Sequence, residues 1–110
     1  MLRAYDLQYD IDRVATQGRD LQAQNEQLWN KIAASPIRDK LWYSEADVSC
    51  ADDELDHLAE LASNAARWDK IEDHELNLKA SRYLEMARVY LKQAETLYLR
   101  AELQVRNASS

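Results

Sequence analysis

One glycine, one proline, one cysteine and no phenylalanine stand among 110 residues. Strands joined by tight turns need turn residues, so a chain this poor in them is not a sheet protein. A single cysteine, Cys50, excludes an intramolecular disulfide. No apolar run exceeds four residues, far short of the ~20 that a membrane span needs. Lysine and arginine are missing altogether from residues 41–66, which carry seven acids: Glu45, Asp47, Asp52, Asp53, Glu54, Asp56 and Glu60. Residues 1–40 balance six acids against six bases, and residues 67–110 carry seven against eight. The net charge of −6 therefore sits in one central segment. It would repel a phosphate backbone, and no basic stripe compensates elsewhere, so direct nucleic-acid binding is disfavoured.

What remains is helix-forming material: Ala, Leu, Glu, Gln, Arg and Lys dominate. The sequence predicts an all-α fold, an elongated helical bundle or coiled-coil-like hairpin. It has two long helices of about 33 residues, at 1.5 Å per residue roughly 50 Å each, with shorter helices between them. The expected helices cover about 2–34, 36–43, 50–69 and 74–106, in one domain of residues 1–106 with a disordered tail at 107–110. Ser35-Pro36 supplies the first stop, because proline resists helix interiors and restricts its predecessor. Ser44 or Ser49 opens the third helix; Ser49-Cys50-Ala51-Asp52 resembles a capping box, with Asp53 and Glu54 suited to its dipole. Around residues 69–74 the apolar phase meets Asp69 and Glu72, so a turn is expected there.

Two patterns carry the contact information. Ala4, Leu7, Ile11, Val14, Gly18, Leu21, Asn25, Leu28 and Ile32 are spaced 3,4,3,4, a heptad seam that buries itself only against another helix. Asn25 on this seam is either paired across a dimer or faces a polar gap inside a monomeric bundle. Gly18 marks a close backbone approach or a bend. In the last helix Ala80, Ala87, Ala94 and Ala101 recur every seven residues. They are flanked by Leu76, Tyr83, Tyr90 and Leu97 on one side and Leu84, Leu91, Tyr98 and Val105 on the other. This makes an alanine-floored groove that suits a closely packed helix. The expected partner-binding residues are therefore Leu7, Ile11, Val14, Leu21, Asn25, Leu28 and Ile32 on the seam. In the groove they are Ala80, Tyr83, Leu84, Ala87, Tyr90, Leu91, Ala94, Tyr98 and Ala101.

Chemistry-bearing motifs are sparse. Glu54-Leu55-Asp56-His57 is a Glu-x-x-His, which di-iron bundles use in two copies. His74 does not repeat it, so a solvated helical face is the plainer reading. There is no His-Glu-x-x-His, cysteine pair or glycine-rich loop. No catalytic residue, metal or cofactor is expected. Trp42-Tyr43 either anchors a partner or places Trp42 as a plug at the bundle end. Asn107-Ala-Ser matches a glycosylation triplet, which has no weight without a secretory signal, and none is visible at the N-terminus. The expectation is a cytoplasmic, non-enzymatic protein-interaction module, self-associating as a homodimer, with roles such as assembly subunit, adaptor or small chaperone. The alternative is an acidic inhibitor that imitates nucleic acid through Asp47, Asp52, Asp53, Glu54 and Asp56.

Overall fold

The computed structural model describes residues 4–68 and 74–109. It is all-α: α1 (Ala4–Ala33), one 3-10 turn (Arg38–Lys40), α2 (Trp42–Ala66) and α3 (His74–Ser109). The molecule measures 56 × 18 × 16 Å. Cross-helix contacts fix the topology. Asn25 reaches Val48 and Gln8 reaches Ala65, so α1 and α2 run antiparallel. Ser44 meets Gln104, Asp47 meets Arg100 and His57 lies against Tyr90, so α2 and α3 are antiparallel too. The chain goes up, down and up, and segment 51–106 holds two helices rather than one. The turn expected at 69–74 falls largely on residues outside the described ones.

α1 stops where Pro36 would otherwise sit in a helix interior. Ser35 then closes the corner, its Oγ accepting from the Ile37 amide at 3.2 Å. The expected helix over 36–43 is reduced to the single 3-10 turn, and α2 starts at Trp42 instead of near residue 50. The reason is a buried stripe that begins earlier than expected. Leu41, Ser44, Val48, Ala51, Leu55 and Leu58 repeat at 3,4,3,4,3 and are all buried. Ser44 hides the stripe in the sequence, because a polar residue occupies a core position; its hydroxyl is satisfied by Gln104 Oε1 at 3.0 Å. Ser49 is consequently mid-helix, and the capping box expected at 49–52 does not form. Arg38 ties the 3-10 turn to α2 through Glu45 at 2.7 Å. At the other end of α2, Gln8 donates to the carbonyls of Ala65 and Trp68, at 2.6 and 3.2 Å. The tail expected at 107–110 is also corrected: α3 continues through residues 107–109.

The core forms two clusters stacked along the bundle. The longer gathers Leu7, Ile11, Val14 and Leu21 with Leu55, Leu58 and Leu61 of α2 and Ala80, Leu84, Ala87, Leu91 and Ala94 of α3. The shorter gathers Leu28, Ile32, Leu41, Val48, Ala101 and Val105. Asn25 falls between Leu21 and Leu28 on the seam and so sits where the clusters meet. The four alanines of α3 are fully buried. With only a methyl at each position, α3 lies close against both other helices. Each fully buried Leu or Ile contributes about 1.5–3 kcal/mol through lost water contact. Gly18 belongs to a close approach, not a bend, since a Cβ there would lie 2.6 Å from Leu58 Cδ2.

Candidate functional site

The seam and the alanine groove, both expected to receive a partner, are the inside of this bundle. Leu7, Ile11, Val14, Leu21, Asn25, Leu28 and Ile32 are buried, as are Ala80, Leu84, Ala87, Leu91, Ala94 and Ala101. Tyr83, Tyr90 and Tyr98 are half-buried and pack against the same core. Burial pushes the Tyr98 hydroxyl above its ordinary pKa, and its hydrogen bond with Glu102 adds to this. The physical reason for the correction is simple. A stripe that needs one neighbouring helix, and a face that needs two, find them within a three-helix chain. A partner reaches neither without prising the helices apart.

The acidic patch divides. Asp47 faces inward, 9% exposed, and takes two hydrogen bonds from Arg100, from Nε at 2.8 Å and from Nη2 at 2.7 Å. These bonds, together with the Asp47 charge, hold the Arg100 guanidinium above its usual pKa. Asp47 is thus a structural ion-pair partner. Glu54 is half-buried, with Oε2 closed to solvent and without a hydrogen-bond partner. Asp52, Asp53 and Asp56 are exposed, and Glu60 joins them on the outer side of α2. Because α2 begins at Trp42, these carboxylates lie well past its first turn. Helix-dipole complementarity fades beyond that turn, so the electrostatic reason for placing them at a helix start does not apply.

Between α1 and α2, on the side away from α3, lies an open cleft of about 440 Å³ lined by Gln22, Asn25, Glu26, Trp29, Val48, Ser49 and Asp52. Its floor is Asn25, 2% exposed. The Asn25 amide donates through Nδ2 to the Val48 carbonyl at 3.0 Å. That turns Oδ1 away from the Val48 oxygen and leaves it buried with no partner. Trp29 forms a wall and remains 39% exposed. No lysine or arginine lines this cleft. Its seam residue Asn25 and its acid Asp52 were legible in the sequence as separate features. That they adjoin, with Glu26 and Trp29 between, was not, because their neighbourhood depends on the register of α1 on α2. Farther along the same groove a second hollow is lined by Ala15, Gly18, Ala59, Ala62, Ser63 and Ala66 together with Asp12, Arg19, Gln22, Leu55 and Leu58.

Other candidates are placed as follows. Trp42 and Tyr43 stack with ring centroids 3.5 Å apart, and both are largely exposed. Leu41, not Trp42, closes that end of the core. His57 rests on Tyr90 with ring centroids 5.5 Å apart, and His74 is the first residue of α3. Among the described residues, no three His, Cys, Asp or Glu side chains gather to hold a metal ion. Cys50 is exposed. None of the helices described is long and apolar enough to cross a membrane. Compared with protein-family models, curated proteins and solved structures, the chain matches none of them.

Proposed function

We propose that this chain is a non-enzymatic protein-binding module, an adaptor, assembly subunit or small chaperone. Its working surface is the acidic outer side of α2, and its partner is a basic protein segment. One observation carries the reading: Asp52, Asp53, Asp56 and Glu60 are exposed in the interior of a helix that contains no lysine or arginine. A row of like charges on one helix costs stability through mutual repulsion, and a basic partner relieves that cost. Such a field also raises the rate of encounter with a basic surface, and salt weakens it. Burial of the heptad seam within the chain favours a different protein over a second copy as the partner. The single exposed thiol fits a reducing, cytoplasmic setting.

The test is calorimetric titration with a Lys/Arg-rich amphipathic peptide, alongside the same peptide carrying Glu in place of its bases. Binding by the basic peptide alone, weakened by salt and by the triple change Asp53→Asn, Asp56→Asn and Glu60→Gln, supports the proposal. Equal affinity for both peptides, or indifference to the triple change, refutes it. The same carboxylate row favours a second reading, an inhibitor occupying the nucleic-acid site of a basic protein. Competition between the chain and duplex DNA for a DNA-binding protein separates the two. Only the inhibitor displaces DNA.

A further inference from the structure

We infer that the cleft between α1 and α2 is a socket for a single basic side chain of the partner, an arginine in preference to a lysine, with Asn25 as its buried acceptor. This rests on the basic-partner reading above and specifies where that partner is gripped. Asn25 is the first observation. A seam position that faces two hydrophobic clusters is held by an amide whose Oδ1 is buried and unpartnered. A buried acceptor without a donor is destabilising, and leucine there would complete the core. The group missing at Oδ1 is a hydrogen-bond donor.

The other walls say which donor. Glu26 and Asp52 supply negative charge and Ser49 a hydroxyl, while Trp29 supplies an aromatic face and Val48 an apolar patch. Carboxylates select a cation over a neutral amide. An indole face favours a delocalised, weakly hydrated cation, and a guanidinium stacks on it while its N–H groups reach carboxylate and carbonyl oxygens together. A bare divalent ion is the poorer fit. It asks for a tight set of oxygen ligands, whereas the cleft measures about 440 Å³ and no trio of metal-binding side chains gathers among the described residues. Glu26, Ser49 and Asp52 are surface side chains at the mouth of the cleft. The hollow beyond, with Ala59, Ala62 and Ala66 on α2 and Asp12 and Arg19 on α1, leaves room for the backbone that carries the arginine.

The experiment is an NMR titration of the intact, isotopically labelled chain. The probes are Nα-acetyl-arginine methylamide, the lysine equivalent, the uncharged norleucine equivalent, putrescine and calcium chloride. The arginine probe is expected to shift the Asn25 side-chain amide and Trp29 indole signals saturably, with Kd on the order of 1 mM. The lysine probe should bind more weakly and the norleucine probe not at all. Glu26→Gln with Asp52→Asn should weaken arginine binding roughly 5-fold or more, since both changes are at the surface and leave the core intact. Asn25→Leu should abolish the shift at Trp29. Equal shifts from norleucine, or undiminished affinity in both variants, overturn the inference. Tighter binding of putrescine or calcium than of arginine reassigns the cleft to a free amine or a metal, and overturns it too. The basic-peptide titration keeps the two proposals apart. Peptide binding that survives changes at Asn25, Glu26 and Asp52 but is lost on neutralising Asp53, Asp56 and Glu60 sinks the socket and leaves the acidic face standing.

Discussion

Replacing Asn25 by leucine separates what the residue costs the fold from what it offers a ligand. The wild-type amide makes one hydrogen bond, to the Val48 carbonyl at 3.0 Å, and leaves Oδ1 buried and unpaired. Losing the bond removes about 1 kcal/mol. The Val48 carbonyl is not orphaned, because as a residue inside α2 it also accepts the helical i→i+4 bond. Removing the unpaired oxygen returns about 1–3 kcal/mol of desolvation cost. The leucine side chain, 2% exposed if it keeps the asparagine's place, adds apolar burial between Leu21 and Leu28. Its extra bulk takes back about 1 kcal/mol of that. The balance is a gain of about 1–2 kcal/mol, which for a domain of this size raises the melting midpoint by roughly 5 °C or more. Urea unfolding followed by circular dichroism reads the change, with the slope on denaturant unchanged. A loss of 1 kcal/mol or more would show that Oδ1 has a partner in the free protein, and would remove the reason for a missing donor.

Gly18→Val should cost about 2 kcal/mol, because its side chain would press on Leu58 at a close approach of α1 and α2. Gly18→Ala should stay within about 1 kcal/mol of the parent, helix propensity offsetting the 2.6 Å contact with Leu58 Cδ2. Urea midpoints check both. Leu58→Ala, which empties a fully buried site touching α1, should lower stability by about 3 kcal/mol on the same scale. Arg100→Met should destabilise more than the pair Asp47→Leu with Arg100→Met, because the single change leaves a nearly buried carboxylate without its partner. A double-mutant cycle that shows the two changes adding independently would contradict this. Tyr98 gives a pH prediction. Its folded pKa lies above the ordinary 10.0, so the unfolded chain loses this proton first. The associated stability is intact below pH 10 and disappears as pH climbs through the raised value. Tyr98→Phe should flatten that alkaline decline in urea midpoints.

The apolar periodicities were legible because they are local. Nine spaced positions in α1 and four alanines in α3 announce buried stripes, and burial is where the structure puts the alanines and the seam from Leu7 to Ile32. What the stripes bury against was not legible, because a heptad seam looks the same whether its neighbour is another molecule or a later part of the chain. The start of α2 was hidden for a related reason. Ser44 and Asp47 are polar residues on a buried face, and the groups that satisfy them, Gln104 and Arg100, lie 60 and 53 residues away. Nothing near them in sequence marks them as core. The cleft shows the same limit. Glu26 and Trp29 come from one helix, Ser49 and Asp52 from another, and only the antiparallel register brings them around Asn25.

The account turns on the α1 seam being covered by α2 and α3 of the same chain. Isotope-filtered NOE spectroscopy on an equal mixture of labelled and unlabelled protein reads this directly. The Asn25 side-chain amide should show NOEs to Val48, and the Gly18 α-protons to the Leu58 methyls, only within a single labelled molecule. The same cross-peaks appearing between labelled and unlabelled copies would show that the seam is closed by a second molecule, and the monomeric bundle and its cleft would fall together.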